Sequence, residues 1–244
     1  MPEGPSIVII KEELQSFTGK KILKAEGNAK IDIARCKGLK IADFKSWGKH
    51  FLICFDGFFL RIHLLMFGTY RINERKETAP RLLFKFRGSE FSFYTCSIKL
   101  IEGHPDDHYD WEADTMNNDW NPKKAAKKLK KLKKTFVCDA LLNQDIFAGV
   151  GNIIKNEVLF RIKIHPLSLV NKLPAKKLKE MIEDARDYSL QFYTWKKAFV
   201  LKKNWLIYKK PICPRCKIKA ERTYLGKTDR LSSFCTKCQK LYNK

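Results

Sequence analysis

Four cysteines near the end of the chain carry the most legible chemistry. Cys213-Pro-Arg-Cys216 is followed after eighteen residues by Cys235-Thr-Lys-Cys238. Two C-x2-C knuckles at that separation present four thiolates tetrahedrally, the arrangement structural Zn2+ prefers. One structural zinc ion is the expected occupant, with an iron site or redox pairs as the alternatives. The segment between the knuckles is rich in Thr, Gly and Arg and reads as a hairpin that so short a stretch hardly sustains without metal. Thr228-Asp229-Arg230 falls at its turn, where a guanidinium either projects toward a phosphate or is simply solvated.

A different chemistry is available at the start, in Met1-Pro2-Glu3-Gly4-Pro5-Ser6. An interior proline nitrogen is an inert amide, but removal of Met1 makes Pro2 a secondary amine. Its attack on an aldehyde-level sugar carbon gives an iminium that cannot shed an N–H proton, and so a lasting electron sink for β-elimination. Glu3 beside it can move protons. Pro5 suits a first helical position, so Pro2 stands ahead of a helix N-terminus, whose positive dipole end disfavours a protonated amine. The same field favours an ionised Glu3, so an acid role for it requires a second influence such as burial. Taken alone, Pro2 is simply a residue that permits removal of Met1.

Two further constellations are weaker. Gly149-Val150-Gly151-Asn152 precedes a helical pattern from Ile153 to Arg161; glycines allow close backbone approach, and free N–H groups with an Asn side chain form an anion site. It is not the dinucleotide fingerprint, since Ile154 occupies the third glycine position, and an ordinary helix cap explains it as well. Lys49, in Ser46-Trp-Gly-Lys49-His50, stands at a strand entrance within reach of a phosphate or as a plain surface lysine, and His63 in RIHLLMFG is similarly ambiguous.

These groups need a scaffold. Ile7, Ile10, Leu14 and Phe17 recur at spacings of three and four, which predicts an opening helix. Short β-rich segments follow from residue 20 to about 101: Leu82, Phe84 and Phe86 alternate with Lys85 and Arg87, and Asp56-Gly57 marks a tight hairpin, so an antiparallel sandwich or barrel is expected. The acidic stretch from His104 to Asn121 has neither period and reads as a linker. Helices then dominate. Asn121-Pro122 starts one whose apolar stripe is Leu129, Leu132 and Phe136, and Pro174 opens another with Leu178, Ile182 and Ala185 on one side. The eight lysines between Lys123 and Lys134 form either a DNA-binding face or a solvated one.

Composition agrees with a polyanionic partner. The 244 residues hold 49 Lys and Arg against 26 Asp and Glu, a net charge of +23. That balance fits DNA, RNA, an anionic membrane surface or a ribosome. No apolar run approaches the roughly 18 to 20 residues of a spanning helix, and residues 1–20 lack a continuous signal-peptide core. A cytoplasmic, nucleoid-associated protein with no membrane partner is expected. Cys36, Cys54, Cys96 and Cys138 lie in apolar surroundings and read as small buried hydrophobes.

MPEGP at the start, SWGKH, GVGNIIKNEVLF and the paired cysteines with an intervening arginine, in that order across nearly the whole chain, resemble the formamidopyrimidine-DNA glycosylase and endonuclease VIII family. The resemblance implies an α+β multidomain fold: a terminal helix on an antiparallel β-sandwich over residues 1–115, a helical DNA-binding domain with a helix-two-turn-helix over 116–206, and a four-cysteine zinc-finger hairpin over 207–244, with DNA between the lobes. It implies Pro2 as Schiff-base nucleophile and Glu3 as proton-transfer residue. Lys49, Asn152 and Arg230 become phosphate-binding residues around an everted nucleotide, Lys49 and Arg230 counting also with the catalytic group. Leu65, Met66 and Phe67 occupy the void-filling place, though a strand end packed in a core fits them too. The implied activity is a bifunctional glycosylase and AP lyase in base excision repair, acting on damaged double- or single-stranded DNA by β- or β,δ-elimination, for which a monomer suffices. KKAFVLKKNWLIYKKPI, between Trp195 and Cys213, is too short for the long loop that guanine-lesion members fold over the base, and MPEGPS, GNIIKNE and IHPLS look closer to endonuclease VIII-like proteins, including one animal branch. Oxidised pyrimidines are therefore favoured over 8-oxoguanine or formamidopyrimidine. Ser6 departs from the family's common glutamate, although that animal branch also carries serine. The rivals are a DNA-binding protein of the same family without catalysis, which retention of both Pro2 and Glu3 opposes, and a zinc-ribbon RNA-binding or ribosomal protein, which gives no reason for proline and glutamate at the start.

Overall fold

Pro5 in the first turn and Ile7, Ile10 and Leu14 at helical spacing build α1 (Gly4–Leu14), which a 3-10 turn extends to Phe17. All four apolar side chains are buried. The structure is a computed structural model that describes residues 2–243; the expected removal of Met1 lies outside the described residues. Eight strands follow: β1 (Lys24–Glu26), β2 (Asp43–Trp47), β3 (His50–Cys54), β4 (Phe58–His63), β5 (Thr69–Ile72), β6 (Leu82–Phe86), β7 (Ser89–Tyr94) and β8 (Ser97–Glu102). They form two four-stranded antiparallel sheets, ordered β1-β6-β7-β5 and β2-β3-β4-β8. The expected Asp56-Gly57 hairpin joins β3 to β4, with the Phe55 N–H donating to the Phe58 carbonyl at 2.9 Å.

One core serves both sheets and the helix. Ile7, Ile10 and Leu14 share it with Phe44, Phe51 and Ile53 from one sheet and Phe84, Phe91 and Phe93 from the other. Phe44 stacks on Phe51 with centroids 5.5 Å apart, and Phe91 meets Phe84 edge-on at 5.6 Å. Aromatic pairs of this kind add to simple area burial and restrict how the sheets slide. α1 lies against β2 and β3, which fixes where its N-terminal end sits on the sandwich.

The chain divides into two compact units, residues up to Tyr109 and residues from Asp110 onward. The division falls ahead of residue 115 because the acidic stretch is not a solvated linker. Pro105–Asp107 and Trp111–Ala113 are 3-10 turns, and Ala113, Asp114 and Thr115 are buried. Its carboxylates are counter-charges: Lys124 Nζ reaches Asp110 and Glu112 at 2.7 Å each, and Lys128 Nζ reaches Asp110 at 3.0 Å. Those lysines stand on α2 (Pro122–Lys130), capped by Asn121 Oδ1, which accepts from the Lys124 N–H at 3.1 Å. α2 stops at Lys130, so Leu132 and Phe136 lie beyond it rather than on its stripe, although both pack on the same core. Lysines three and four apart repel one another and give the helix little reason to continue.

α3 (Val137–Leu142), a two-turn link and α4 (Asn152–Arg161) make a helix-two-turn-helix, followed by α5 (Ala175–Lys197) and the hairpin β9 (Glu221–Leu225) and β10 (Arg230–Phe234). The compact-unit division keeps this hairpin with the helices. Pro174 caps α5, and Ile182 and Ala185 are buried on its inner face with Leu178 partly so. Burial pushes the thiols of Cys36, Cys54 and Cys138 up to about 12 and that of Cys96 up to about 11, so these four behave as small hydrophobes. Among the described residues, no helix is long and apolar enough to cross a membrane.

Asp184 on α5 pairs with Arg161 of α4 at 2.8 Å, yet its other oxygen is buried with no hydrogen-bond partner. Burial pushes its carboxyl up to about 6 despite that arginine. A folded-state pKa above the ordinary ~3.9 means that the folded form holds the proton more tightly; the contribution is present below pH ~3.9 and lost as pH rises through about 6. The difference in Tm between Asp184→Asn and the native chain is therefore expected to move in the variant's favour between about pH 4 and pH 7. Thermal unfolding that gives the same difference at both pH values would refute this.

Candidate functional site

The N-terminal groups sit where the dipole argument placed them. Pro2 is half-buried, immediately ahead of α1. Glu3 is the helix N-cap in extended conformation; its carbonyl accepts from the Ser6 N–H at 2.8 Å and the residue is 0% exposed.

Lys49 stands at the entrance of β3, as expected, in the turn that joins β2 to β3. Trp47 pairs with His50, which leaves Gly48 and Lys49 as a two-residue turn with Gly48 at φ 53°. Next to it, His50 and His63 face each other across β3 and β4, rings 5.6 Å apart, with Tyr109 Oη 3.3 Å from His50 Nδ1. Burial, helped by Arg61, His63 and Lys49, pushes His50 down to about 4; burial with Lys49 and Arg61 lowers His63. His50 is therefore neutral near pH 7, and His63 is biased the same way. A neutral His63 keeps an acceptor nitrogen, and Nδ1 takes the Leu65 N–H at 3.2 Å. Leu65 at φ 53° opens the turn Leu65-Met66-Phe67, whose exposures are 48%, 53% and 75%. This is not a strand end packed in the core. Gly68 closes the turn: its N–H donates to the Leu64 carbonyl at 2.7 Å, and a Cβ there would lie 2.1 Å from that oxygen.

In the second unit, Asn152 is the first residue of α4, only 6% exposed, with Oδ1 3.5 Å from Asn156 Nδ2. The Gly149 N–H is taken by Gln144 Oε1 at 3.1 Å. Asn156 links this helix start to the hairpin: its Oδ1 accepts from the Ser233 N–H at 2.6 Å and its Nδ2 donates to the Leu231 carbonyl at 3.2 Å. Arg230, one residue earlier, begins β10 and is exposed; among the described residues it makes no ion pair.

The cysteines close the other end of the hairpin. The sulfurs of Cys213, Cys216, Cys235 and Cys238 all lie within 4.8 Å of one another, and Cys213 Sγ is 3.8 Å from Cys238 Sγ. Four thiolates around a tetrahedral ion at ~2.3 Å are about 3.8 Å apart, so the residues fit such an ion. The Cys216 N–H and Cys235 N–H donate to Cys213 Sγ at 3.4 Å and Gln239 Oε1 at 2.8 Å, which set the knuckles.

Other polar residues that shape this region were not singled out in the sequence. Buried Lys155 donates from Nζ to Ser232 Oγ at 3.0 Å and to the Leu231 carbonyl at 3.3 Å. Glu157, fully buried, accepts the N–H groups of Leu206, Ile207 and Tyr208 at 2.8, 2.9 and 2.7 Å. Their signal was available: Lys155-Asn156-Glu157 interrupts an otherwise apolar helix. Asp139, on α3, carried no comparable mark.

The formamidopyrimidine-DNA glycosylase N-terminal domain family matches residues 1–96, and the formamidopyrimidine-DNA glycosylase H2TH domain family matches residues 112–190. The chain is 30% identical over 232 residues to endonuclease 8-like 3 of Xenopus laevis, covering 90% of this chain and 38% of that protein. It is 32% identical over 212 residues to endonuclease 8-like 3 of Mus musculus, covering 83% and 35%. The chain thus spans little more than a third of the length of these curated relatives. A solved Lactococcus lactis formamidopyrimidine-DNA glycosylase, bound non-covalently to DNA containing an AP site, shares the fold at a TM-score of 0.85, with 23% identity over 98% of this chain and 99% of that one. With both domain families matched in order and the endonuclease 8-like relatives aligned along most of its length, this chain belongs to the formamidopyrimidine-DNA glycosylase and endonuclease VIII family.

Proposed function

We propose that the protein is a DNA glycosylase with AP lyase activity that removes oxidised bases in base excision repair. The observation that carries this reading is the pairing of a half-buried Pro2 at the positive end of α1 with a wholly buried Glu3. Once Pro2 is the first residue, its nitrogen lone pair forms a bond to C1′ of the damaged nucleotide while the bond from C1′ to the base breaks and the base leaves with a proton. Opening of the sugar ring gives the C1′ iminium, loss of a C2′ proton expels the 3′ phosphate, and water returns Pro2. Glu3, adjacent and shielded from water, is the group that moves protons in these steps.

Reaching C1′ requires the base to leave the stack, which costs a few kcal/mol that backbone contacts and a wedge must offset. Lys49 at its turn, Asn152 at the start of α4 and Arg230 at the start of β10 supply the phosphate contacts. Exposed Leu65, Met66 and Phe67 supply apolar surface for the vacated space. The four cysteines hold one Zn2+ whose closed thiolate shell serves structure, keeping the open end of the hairpin together while Arg230 stands at the other end. Five-residue strands place those ends roughly 14 Å apart. Oxidised pyrimidines and abasic sites are the favoured substrates, since only one 3-10 turn, Leu201–Asn204, and short loops separate α5 from Cys213. A single chain carries every group named, so a monomer suffices.

Protein shown to begin at Pro2 is expected to form a covalent adduct with abasic-site DNA on borohydride reduction, and Pro2→Gly to reduce or abolish it; Glu3→Gln should spare abasic-site cutting more than base removal. Absence of any adduct with the processed protein would leave only DNA binding. On a panel of thymine glycol, 5-hydroxyuracil, dihydrouracil and 8-oxoguanine in duplex and single strands, the pyrimidine lesions should be excised faster, and faster 8-oxoguanine release would reverse the assigned preference. Metal analysis should return one zinc per chain, with chelation loosening the hairpin; folded protein holding much less than one metal atom contradicts the four-thiolate site.

A further inference from the structure

The tip of the β9–β10 hairpin is held by a carboxylate from a different element. Asp139 lies in the first turn of α3 and turns its side chain outward to the hairpin. Its Oδ2 accepts the Lys227 N–H at 3.0 Å; its Oδ1 accepts the Thr228 N–H at 3.1 Å and the Thr228 hydroxyl at 2.9 Å. Three donors from two consecutive residues thus converge on one ionisable group, the arrangement by which backbone turns bind anions. The turn is shaped closely around it: Gly226 has φ +76°, and a Cβ there would fall 2.5 Å from Asp139 Oδ1 and 2.8 Å from its Cγ. Asp229 at φ 45° completes the reversal, and Arg230 follows at once.

A two-stranded hairpin on its own is marginally stable, and this one is exposed along β9. Its open end is bound by the knuckles, and β10 is held from α4 through Asn156 and Lys155 at Leu231, Ser232 and Ser233. Without Asp139, no hydrogen bond described would tie the segment from Gly226 to Arg230 to anything outside the hairpin. Arg230 therefore sits between two fixed points, Thr228 on one side and Leu231 on the other. Among the described residues Asp139 and Arg230 form no ion pair; the oxygens of Asp139 accept from Lys227 and Thr228 instead.

We propose that Asp139 is the positioning residue for Arg230, clamping the hairpin turn through Lys227 and Thr228 so that the guanidinium is presented to a DNA phosphate. The inference rests on the DNA-binding reading of Arg230 given above, and goes beyond it in naming the group that makes Arg230 effective. It predicts that Asp139 and Arg230 act as one unit.

The test uses zinc-loaded full chain beginning at Pro2 and duplex DNA carrying a tetrahydrofuran abasic-site analogue. Asp139→Ala is expected to weaken binding roughly tenfold, the loss of about one to two hydrogen bonds' worth of ordering. Thr228→Val should weaken it less. Asp139→Ala combined with Arg230→Ala should bind no more weakly than Arg230→Ala alone, and amide exchange at Lys227 and Thr228 should quicken in Asp139→Ala while zinc content is unchanged. Losses that multiply in the double variant, binding unchanged in Asp139→Ala, or tighter binding, as a carboxylate competing with phosphate would give, each overturn the proposal. If Asp139→Ala does not fold or loses zinc, Asp139→Asn and Thr228→Val carry the same cycle against Arg230→Ala. Failure of the glycosylase and lyase reading shows separately, as wild-type protein that forms no borohydride adduct; failure of the clamp shows as wild-type and Asp139→Ala proteins that both form it and bind the analogue equally.

Discussion

Helix α4 constrains the second unit because it buries polar groups that must be satisfied. Every residue from Asn152 to Phe160 is buried, including Lys155, Asn156 and Glu157 in succession. A buried carboxylate or amide without partners costs on the order of 1–3 kcal/mol or more. Glu157 therefore requires the chain at Leu206–Tyr208 to pass directly over it, and burial pushes its carboxyl up while the Tyr208, Leu206 and Ile207 N–H groups pull it back. That passage sets where the chain leaves the helices and enters the knuckle at Cys213. Asn156 and Lys155 then fix β10 against the same helix. The helix that begins at the GVGN turn is thus also the one that aligns the strand beginning with Arg230.

The first unit solves a different problem, that of tying down the residues ahead of its first helix. Terminal residues are ordinarily poorly ordered unless tied down. Here Gly4, Pro5 and Ser6 are buried together with Glu3, and α1 spans the edge of an aromatic core drawn from both sheets. The nucleophile proposed at Pro2 depends on that rigidity, since misplacement by about 1 Å can cost a hundredfold in rate. His50 and His63 of the same unit are two imidazoles beside Lys49 and Arg61, held away from the charged state by burial and by those cations. The region beside Lys49 thereby avoids the cost of further buried positive charge, and His63 keeps the lone pair that holds the Leu65 turn.

Charge is organised more locally than a net value of +23 suggests. The acidic stretch after Tyr109 neutralises Lys124 and Lys128, so the eight-lysine run of α2 and its extension is not one uniform binding face. Such pairs, with lysines about a third exposed, add little to stability apiece; their consequence is to dock the segment that would otherwise have been a linker.

Reading from sequence succeeded where a residue's role follows from its own type and its neighbours within a few positions. The CxxC knuckles, the Pro5 helix start, the Asp56-Gly57 hairpin, the alternation of β6 and the Asn121 cap are local facts of that kind, and so are the two-layer class of the first unit and the helical character of the second. Pro2 and Glu3 were equally visible as a local pair ahead of a predicted helix, and α1 begins directly after them. What the sequence did not determine were the pairings between residues far apart: Asp139 with Thr228, Asn156 with Ser233, Glu157 with Tyr208, and the lysines of α2 with Asp110. These depend on which elements meet, and a carboxylate written in a helix looks the same whether it faces water or a hairpin turn. The acidic stretch does hold the division between the two units, at Tyr109–Asp110, but its turns and ion pairs were hidden for the same reason, since counter-charges become structure only once the fold brings them within hydrogen-bonding distance. Tertiary structure also decided that Leu65, Met66 and Phe67 lie at the surface, because apolar composition alone does not distinguish a wedge from a core.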